Sequence, residues 1–550
     1  MEAIYKEYVT ETFDENGTLT DIEFHYPDTF NYAFDVVDEI ARRTPDALAM
    51  LWCDEAGNER RFTFGEISEL SNRAANVFRN VGIRKGDRVM LVLKRHYQFW
   101  YAIMGLEKVG ALAIPATHLL TAHDYVYRFN QAQVSAIVCT GEGWAVPAVL
   151  EAEAESPTLK TKMLVHGSHE GFLDFDALIE AASPVFERPT GDEATKVTDK
   201  MLMYFSSGTT GMPKMVWHNH AYAIAHIVTA AHWHHVERGK LHFTVAETGW
   251  GKAVWGKLYG LWFCEALVFV YDFDRFHAAD VLEHIQRYKI TTFCAPPTIY
   301  RFFLAEDLSK YDLSSVHEAT ITGEALNPEV YKEIRRRTGL KIREGFGQTE
   351  TTLTVATLYG MEPKPGSMGK SSPAYKADIV DENGKPTKPG EVGEIVLHIE
   401  DGKPAGLFGG YYGNDEMTAE ICRGGLYRTG DVAWRDEDNY FWYVGRADDV
   451  IKSSGYRIGP FEVESVLMEH PSVLECGVTG APDPVRGQVV KATIVLNRGY
   501  TPSEELTKEL QNYVKTHTAS YKYPRIVEYV DELPKTISGK IRRKDLRKQK

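Results

Sequence analysis

Cysteine is scarce in this chain: there are six in 550 residues, at positions 53, 139, 264, 294, 422 and 476, with no CxxC pair. That scatter excludes a zinc ribbon and a disulfide scaffold and suits a reducing compartment. Long apolar runs are missing too. The longest, residues 261–271, is broken by Glu265, whereas a membrane span needs about 20 apolar residues. Basic charge is also short: 62 Lys and Arg face 77 Asp and Glu, a formal net charge of −15. The chain as a whole is therefore a poor partner for nucleic acid or a membrane surface, and anionic ligands need local basic patches. The opening segment Met1-Glu-Ala-Ile-Tyr-Lys-Glu7 has no basic stretch followed by an apolar run, and its acidity does not suit a transit peptide. The expectation is a soluble, cytoplasmic protein. Core material is ample, at 43% hydrophobic and 12% aromatic residues, and the length suits two or three domains.

Short apolar runs at 88–93, 111–116, 135–140, 201–205, 266–271, 292–295 and 318–322 read as strands. Helix-period segments lie between them. In one, Thr63 stands as a cap before Ile67, Leu70, Ala74, Val77, Phe78 and Val81; another covers 278–288. This alternation predicts an α/β fold of mainly parallel sheets covered by helices. The texture changes after Gly445-Arg-Ala-Asp-Asp449 to a compact α+β unit with a helix from Pro460, strands at 473–478 and 489–496, and a helix over 503–516. The expected division is a large N-terminal domain, 1–447, and a small C-terminal one, 448–550.

Three motifs carry chemistry. Ser206-Ser-Gly-Thr-Thr-Gly-Met-Pro-Lys214 follows an apolar run and offers a tight glycine backbone, hydroxyl donors and a positive charge to an anion. It is not a Walker loop, because Met212-Pro213 separates the glycine from the lysine. Glu344-Gly-Phe-Gly-Gln-Thr-Glu350 provides a ring for a base, a hydroxyl for a phosphate oxygen and a carboxylate suited to Mg²⁺. Tyr427-Arg-Thr-Gly-Asp431 places an acid after a glycine turn, where it can accept both hydroxyls of a ribose. Each alone has a bland counterpart: an exposed turn between strand and helix, a core phenylalanine, a surface aspartate.

Together, and in this order with Gly323-Glu-Ala-Leu326, residues 445–460 and Pro534-Lys-Thr-Ile-Ser-Gly-Lys540, they resemble the adenylate-forming superfamily from about residue 30 onward. Thr248-Gly-Trp-Gly251, Ser453-Ser-Gly-Tyr-Arg-Ile-Gly-Pro460, Pro482-Asp-Pro-Val-Arg-Gly487 and Tyr521-Lys-Tyr-Pro-Arg525 are similar to medium-chain acyl-CoA synthetases within it. Glu247, beside the first of these, replaces an aspartate common in relatives and is given no role.

The resemblance implies an ATP-dependent acid–CoA ligase: carboxylate attack on ATP forms an acyl-adenylate, and coenzyme A thiol then displaces AMP. Without a covalent enzyme intermediate, catalysis comes from positioning and charge. By similarity Ser206, Ser207, Gly208, Thr209, Thr210, Gly211 and Lys214 hold the ATP phosphates. Gly323, Glu324 and Ala325 flank adenine with Phe346, and Glu344, Gly345, Gly347 and Gln348 belong to the same ATP site. Thr349 meets the α-phosphate, Glu350 binds Mg²⁺, and Asp431 with Arg446 holds the ribose. Phe346 replaces the usual tyrosine, keeping the ring without its hydroxyl. Lys540 is the catalytic lysine of the first step. Ser454, Gly455, Tyr456 and Arg457 line the coenzyme A tunnel, Arg457, Arg486, Lys515 and Arg525 meet its phosphates, and Tyr523 meets its adenine. Asp448 is the hinge about which the mobile small domain turns between the two reactions.

For the acyl pocket, Trp250, Val254, Trp255 and Leu353 supply apolar walls. Gly347 leaves room where acetate-specific relatives carry tryptophan, and Gly345 opens the site slightly where some relatives carry serine. The substrate expected is a medium-chain, branched or aromatic monocarboxylic acid. An adenylating enzyme with a carrier-protein or other acceptor is the alternative, and an inactive nucleotide-binding regulator is a second. His218, His220, His226, His232, His234 and His235 are crowded but lack a nearby Cys or paired carboxylate. A solvated or interface helix is expected there rather than zinc. The basic residues beyond Lys540 read as a charged helix end. Association with further copies of the chain is left open.

Overall fold

The computed structural model describes residues 2–206, 212–454, 456–536 and 540–548. Among these, an eight-stranded sheet runs in the order Gly410–Tyr411, Lys214–Asn219, Lys200–Ser206, Leu112–Pro115, Arg88–Val92, Ala136–Thr140, Thr161–Val165, Leu173–Asp174. From Lys200–Ser206 to Leu173–Asp174 its strands are parallel, and its other edge is antiparallel. A thirteen-stranded sheet stands beside it. Its parallel part joins Leu48–Asp54, Leu267–Asp272, Leu241–Thr244, Thr292–Cys294, Glu318–Ile321 and Ile342–Phe346. An antiparallel continuation then runs through Val355–Ala356, Ser367–Ser371, Phe441–Arg446 and Leu426–Arg435 to Gly393–His398 and Ala377–Val380.

The helices form where the apolar spacing places them. Thr63 accepts from the Glu66 amide while the Glu66 carboxylate accepts from the Thr63 amide, a capping box that starts Phe64–Asn80. Helix Ala278–Tyr288 buries Val281, Leu282 and Ile285. Helices Phe64–Asn80 and Gln98–Val109 cross closely at Gly105, where a Cβ would lie 2.6 Å from that of Ala74. The opening segment is built into this lobe: the Ile4 amide donates to Glu265 (3.0 Å), and Glu11 of strand Val9–Phe13 meets His232 at 2.6 Å.

Phe441–Arg446 is a strand of the large sheet, and Ile451–Ser453 belongs to a separate five-stranded sheet with Tyr456–Ile458, Val473–Asp483, Gly487–Leu496 and Ile526–Tyr529. Helices Pro460–Met468 and Glu504–His517 cover it around a core of its own, with Ser503 capping the second. This small lobe rests on the large one through Asn327 Nδ2, which donates to the Ser465 carbonyl (3.2 Å), and through an Arg457–Glu382 ion pair. Among the described residues no helix is long and apolar enough to cross a membrane.

Candidate active site

Ser206 ends strand Lys200–Ser206 and pairs in register with Lys214, which begins Lys214–Asn219. The Ser/Thr/Gly motif therefore joins two antiparallel strands rather than a strand and a helix. Ser207, Gly208, Thr209, Thr210 and Gly211 lie outside the described residues. Lys214 Nζ stands 5.0 Å above the Tyr411 ring, and the Tyr411 hydroxyl donates to Glu350 Oε1 over 2.9 Å. Burial raises the Glu350 carboxyl above its usual range, against the lowering pull of that hydrogen bond and of Lys214 and Arg446. A carboxylate so placed is a hard oxygen donor short of positive charge and fits Mg²⁺. Its neighbour Thr349 is positioned through its carbonyl, which accepts from His218 Nε2 at 2.7 Å.

Asp431 is 4% exposed and sits at the centre of a polar network. The Tyr443 hydroxyl donates to it at 2.9 Å and Arg446 Nη1 at 3.1 Å; the Gln348 amide donates both to it and to the Thr429 carbonyl. Tyr427 closes the ring by donating to Gln348 Oε1 at 2.7 Å. Burial raises the Asp431 carboxyl, and Arg446 and these donors oppose the rise. A carboxylate fixed from several sides, with lone pairs to spare, can accept a diol. The Phe346 ring lies 6.3 Å from that of Tyr443, so the two form one aromatic patch. Glu344 points away from the cleft, accepting from the amides of Leu326 (3.2 Å) and Gly366 (3.1 Å), and burial pushes its carboxyl up to about 8. It braces the loop of Gly323, Glu324 and Ala325, in which Gly323 adopts φ +100°.

Two glycines depart from expectation. A Cβ at Gly345 would lie 2.6 Å from Leu353 Cδ1 and 2.7 Å from Trp233 Cζ2. The site is thus not opened there: the Trp233 indole occupies the space. A Cβ at Gly347 would collide with the Thr352 carbonyl; glycine answers a backbone demand rather than leaving room for an acyl tail. Trp255 faces Trp233 with ring centroids 6.1 Å apart, Leu353 and Val254 are buried beside them, and Trp250 precedes the short helix Gly251–Gly256. Glu247 receives a role: it accepts from the Thr117 hydroxyl (2.8 Å) and the His118 amide (3.2 Å), clamping the Thr248-Gly-Trp-Gly251 loop to the eight-stranded side.

The histidine-rich segment is not a solvated or interface helix. Residues Ala221–Ile227 and Val228–His234 are buried throughout, and His226 and His234 bond to Thr229 and Thr320. Composition suggested surface, but His218, His220, His226 and His234 lie in the core, where burial disfavours their charged forms. Burial lowers His218 and His220 to about 4.

On the small lobe, exposed Lys540 is held by a hydrogen bond from its amide to Thr536 Oγ1 (3.1 Å). Its charge, after burial and Cys294, is felt by Lys252, whose Nζ donates to the Thr322 carbonyl at 3.1 Å with Glu324 also nearby. Lys540 therefore lies on the side of the large lobe that carries Lys252. The other expected residues form two groups away from it. Lys515 Nζ and Arg525 flank the Tyr523 ring at 4.1 and 4.8 Å. Arg486 reaches Ser454 Oγ at 3.2 Å, and Tyr456 stacks on Tyr521 at 4.0 Å. Gly455 lies outside the described residues. Exposed Asp448 stands 3.9 Å from Arg446, and its carbonyl accepts from Arg547. Sequence reasoning missed Tyr411, Tyr443, His218, Trp233 and Lys252. Only Lys252 carried a local signal, directly following Thr248-Gly-Trp-Gly251.

Comparison with known proteins places this geometry. Residues 37–412 match the AMP-binding enzyme family and residues 462–540 the AMP-binding enzyme C-terminal domain. The chain is 41% identical to acyl-coenzyme A synthetase ACSM3, mitochondrial, of Mus musculus, over 100% of this chain and 96% of that protein. It is 43% identical to the Homo sapiens acyl-coenzyme A synthetase ACSM4, mitochondrial, over 95% and 91%. Among solved structures it is similar to the anthranilate CoA ligase AuaEII in complex with anthranoyl-AMP (TM-score 0.85, 30% identity, 95% and 98% covered). It is also similar to a benzoate CoA ligase from Burkholderia xenovorans LB400 (TM-score 0.81, 28% identity, 94% and 100% covered).

Proposed function

The chain belongs to the AMP-binding enzyme family and is an acyl-CoA synthetase, and from that premise we propose that it activates a medium-chain, branched or aromatic monocarboxylic acid with ATP and transfers the acyl group to coenzyme A, releasing AMP and pyrophosphate. The observation that carries the reading is the buried Asp431 carboxylate of the proposed nucleotide cleft, held by Tyr443, Arg446 and Gln348, with the Phe346 ring next to that of Tyr443. In that cleft Lys214 and Lys540 offset the charges of phosphate and carboxylate as they approach. Asp431 and Arg446 orient the ribose, Phe346 and the Gly323 loop flank the base, and the Thr349 hydroxyl meets the α-phosphate. Glu350 would hold Mg²⁺, which neutralises phosphate charge when bound.

The boundary between domains falls at 447/448, between the last strand of the large sheet and the first of the small one. Rotation about Asp448 then replaces Lys540 with the loop of Ser454, Gly455, Tyr456 and Arg457, while Arg486, Lys515, Tyr523 and Arg525 engage coenzyme A. The free cysteines suit a reducing compartment such as the cytoplasm; the named relatives are mitochondrial, and cell fractionation decides between the two. The test of activity is a panel of acids from acetate to benzoate and octanoate, incubated with ATP, Mg²⁺ and coenzyme A. Acyl-CoA and AMP should form with medium-chain or aromatic acids. AMP without acyl-CoA would point to another acceptor, and no AMP with any acid would refute the proposal.

A further inference from the structure

Outside the set of residues assigned to nucleotide, acid and coenzyme A, two imidazoles and a carboxylate converge. His96, Glu142 and His166 follow the neighbouring parallel strands Arg88–Val92, Ala136–Thr140 and Thr161–Val165. One ligand-capable atom from each lies within 4.8 Å of the others. The carboxyl ends of parallel strands are where α/β sheets place their ligands.

His96 is 1% exposed, and its Nδ1 lies 2.7 Å from the Asp272 carboxylate, at the end of a strand in the other large sheet. The Asp272 carboxylate accepts from Nδ1–H, which leaves the Nε2 lone pair toward the Thr140 hydroxyl (2.9 Å) and Glu142 (3.9 Å). This carboxylate–imidazole pairing is the one that orients metal-ligating histidines. His166 stacks on His96 with centroids 4.1 Å apart, and its Nδ1 is 3.3 Å from Glu142. Glu142 and Asp274 share Lys94, and the Asp274 amide donates to the Glu55 carboxylate, so carboxylates gather at this corner.

We propose that His96, Glu142 and His166 form a binding site for a divalent transition-metal ion of the zinc or cobalt type. Two imidazole nitrogens and one carboxylate suit such ions and not Mg²⁺. Tetrahedral ligands about 2.1 Å from zinc stand about 3.4 Å apart. Rotation of the partly exposed His166 and Glu142 side chains brings them to that spacing, and Lys94 retains Asp274 when Glu142 turns. The Lys94 carbonyl accepts from both the amide (2.8 Å) and the hydroxyl (2.6 Å) of Thr248. The ion would therefore brace the loop that carries Trp250, joining the two sheets.

The test starts from chelator-treated enzyme titrated with Zn²⁺ or Co²⁺ in excess Mg²⁺, with metal analysis after desalting and visible absorption of bound Co²⁺. One equivalent per chain is expected, with a low-coordinate Co²⁺ spectrum. His166 has φ +54°, a backbone that asparagine tolerates, so His166→Asn keeps the fold while removing the ligand. That variant and, independently, Glu142→Gln should each weaken binding at least about tenfold. Retention of no ion by the wild type, or equal binding by wild type and both variants, would overturn the proposal.

Discussion

The α-carbon of Gly345 abuts the indole of Trp233, leaving 2.7 Å between Cζ2 and the place a Cβ would take. A glycine and a buried tryptophan, far apart in sequence, thus jointly set one wall of the proposed acyl pocket.

Gly345→Ala should therefore lower kcat/KM for medium-chain and aromatic acids by at least about tenfold, since overpacking costs about 1–3 kcal/mol. Trp233→Phe in the same chain should restore part of the loss by vacating the second ring. Acid-dependent AMP release measures both, and an unchanged acid profile in Gly345→Ala would show that this wall does not contact substrate.

The Asp431 network predicts a graded series. Tyr443→Phe removes one donor to a charged acceptor and should raise the KM for ATP about tenfold, while Asp431→Asn should raise it more, each such bond being worth about 1.5–3 kcal/mol. The KM for the acid should move little in either. Equal effects on both substrates would place Asp431 elsewhere than at the ribose.

Lys540→Ala should cut acyl-adenylate formation by about 10²–10³ and spare thioester formation from supplied acyl-adenylate. Loss of both half-reactions together would reject its role. Arg457 gives the converse. It pairs with exposed Glu382 in the arrangement described, a contact worth at most about 1 kcal/mol, so Glu382→Ala should leave the KM for coenzyme A unchanged and Arg457→Ala should raise it.

The buried histidines set an acid limit. His218 and His220 titrate near 4 when folded because burial disfavours their charged forms, against about 6.5 when unfolded. The unfolded chain then binds more protons between those values, so stability is complete above pH 6.5 and falls as pH drops toward 4, by up to about 3 kcal/mol for each ring. Urea midpoints measured from pH 7 to 4.5 should show this slope, and His218→Gln combined with His220→Gln should flatten it. A slope unchanged in the double variant would contradict the assignment.

Periodicity and punctuation sufficed for much of the scaffold. The strands beginning at Arg88 and Thr292, the helix Ala278–Tyr288 and the cap at Thr63 all rest on neighbours within a few residues, and such signals survive in the sequence. The residues proposed for the nucleotide were legible for a related reason: Lys214, Glu350 and Asp431 stand in short motifs beside glycines, at strand ends, turns or strand interiors. What only the folded chain decided depends on distance through space. Tyr411 and Tyr443 act by donating to carboxylates of other segments, and Trp233 by filling a glycine's vacancy 112 residues along the chain. His218, His226 and His234 looked solvent-facing by composition and proved to be core, because a neutral imidazole with one hydrogen bond buries at modest cost. Side-chain chemistry was written locally; which group meets which, and hence the shape of the acyl wall, was settled by packing.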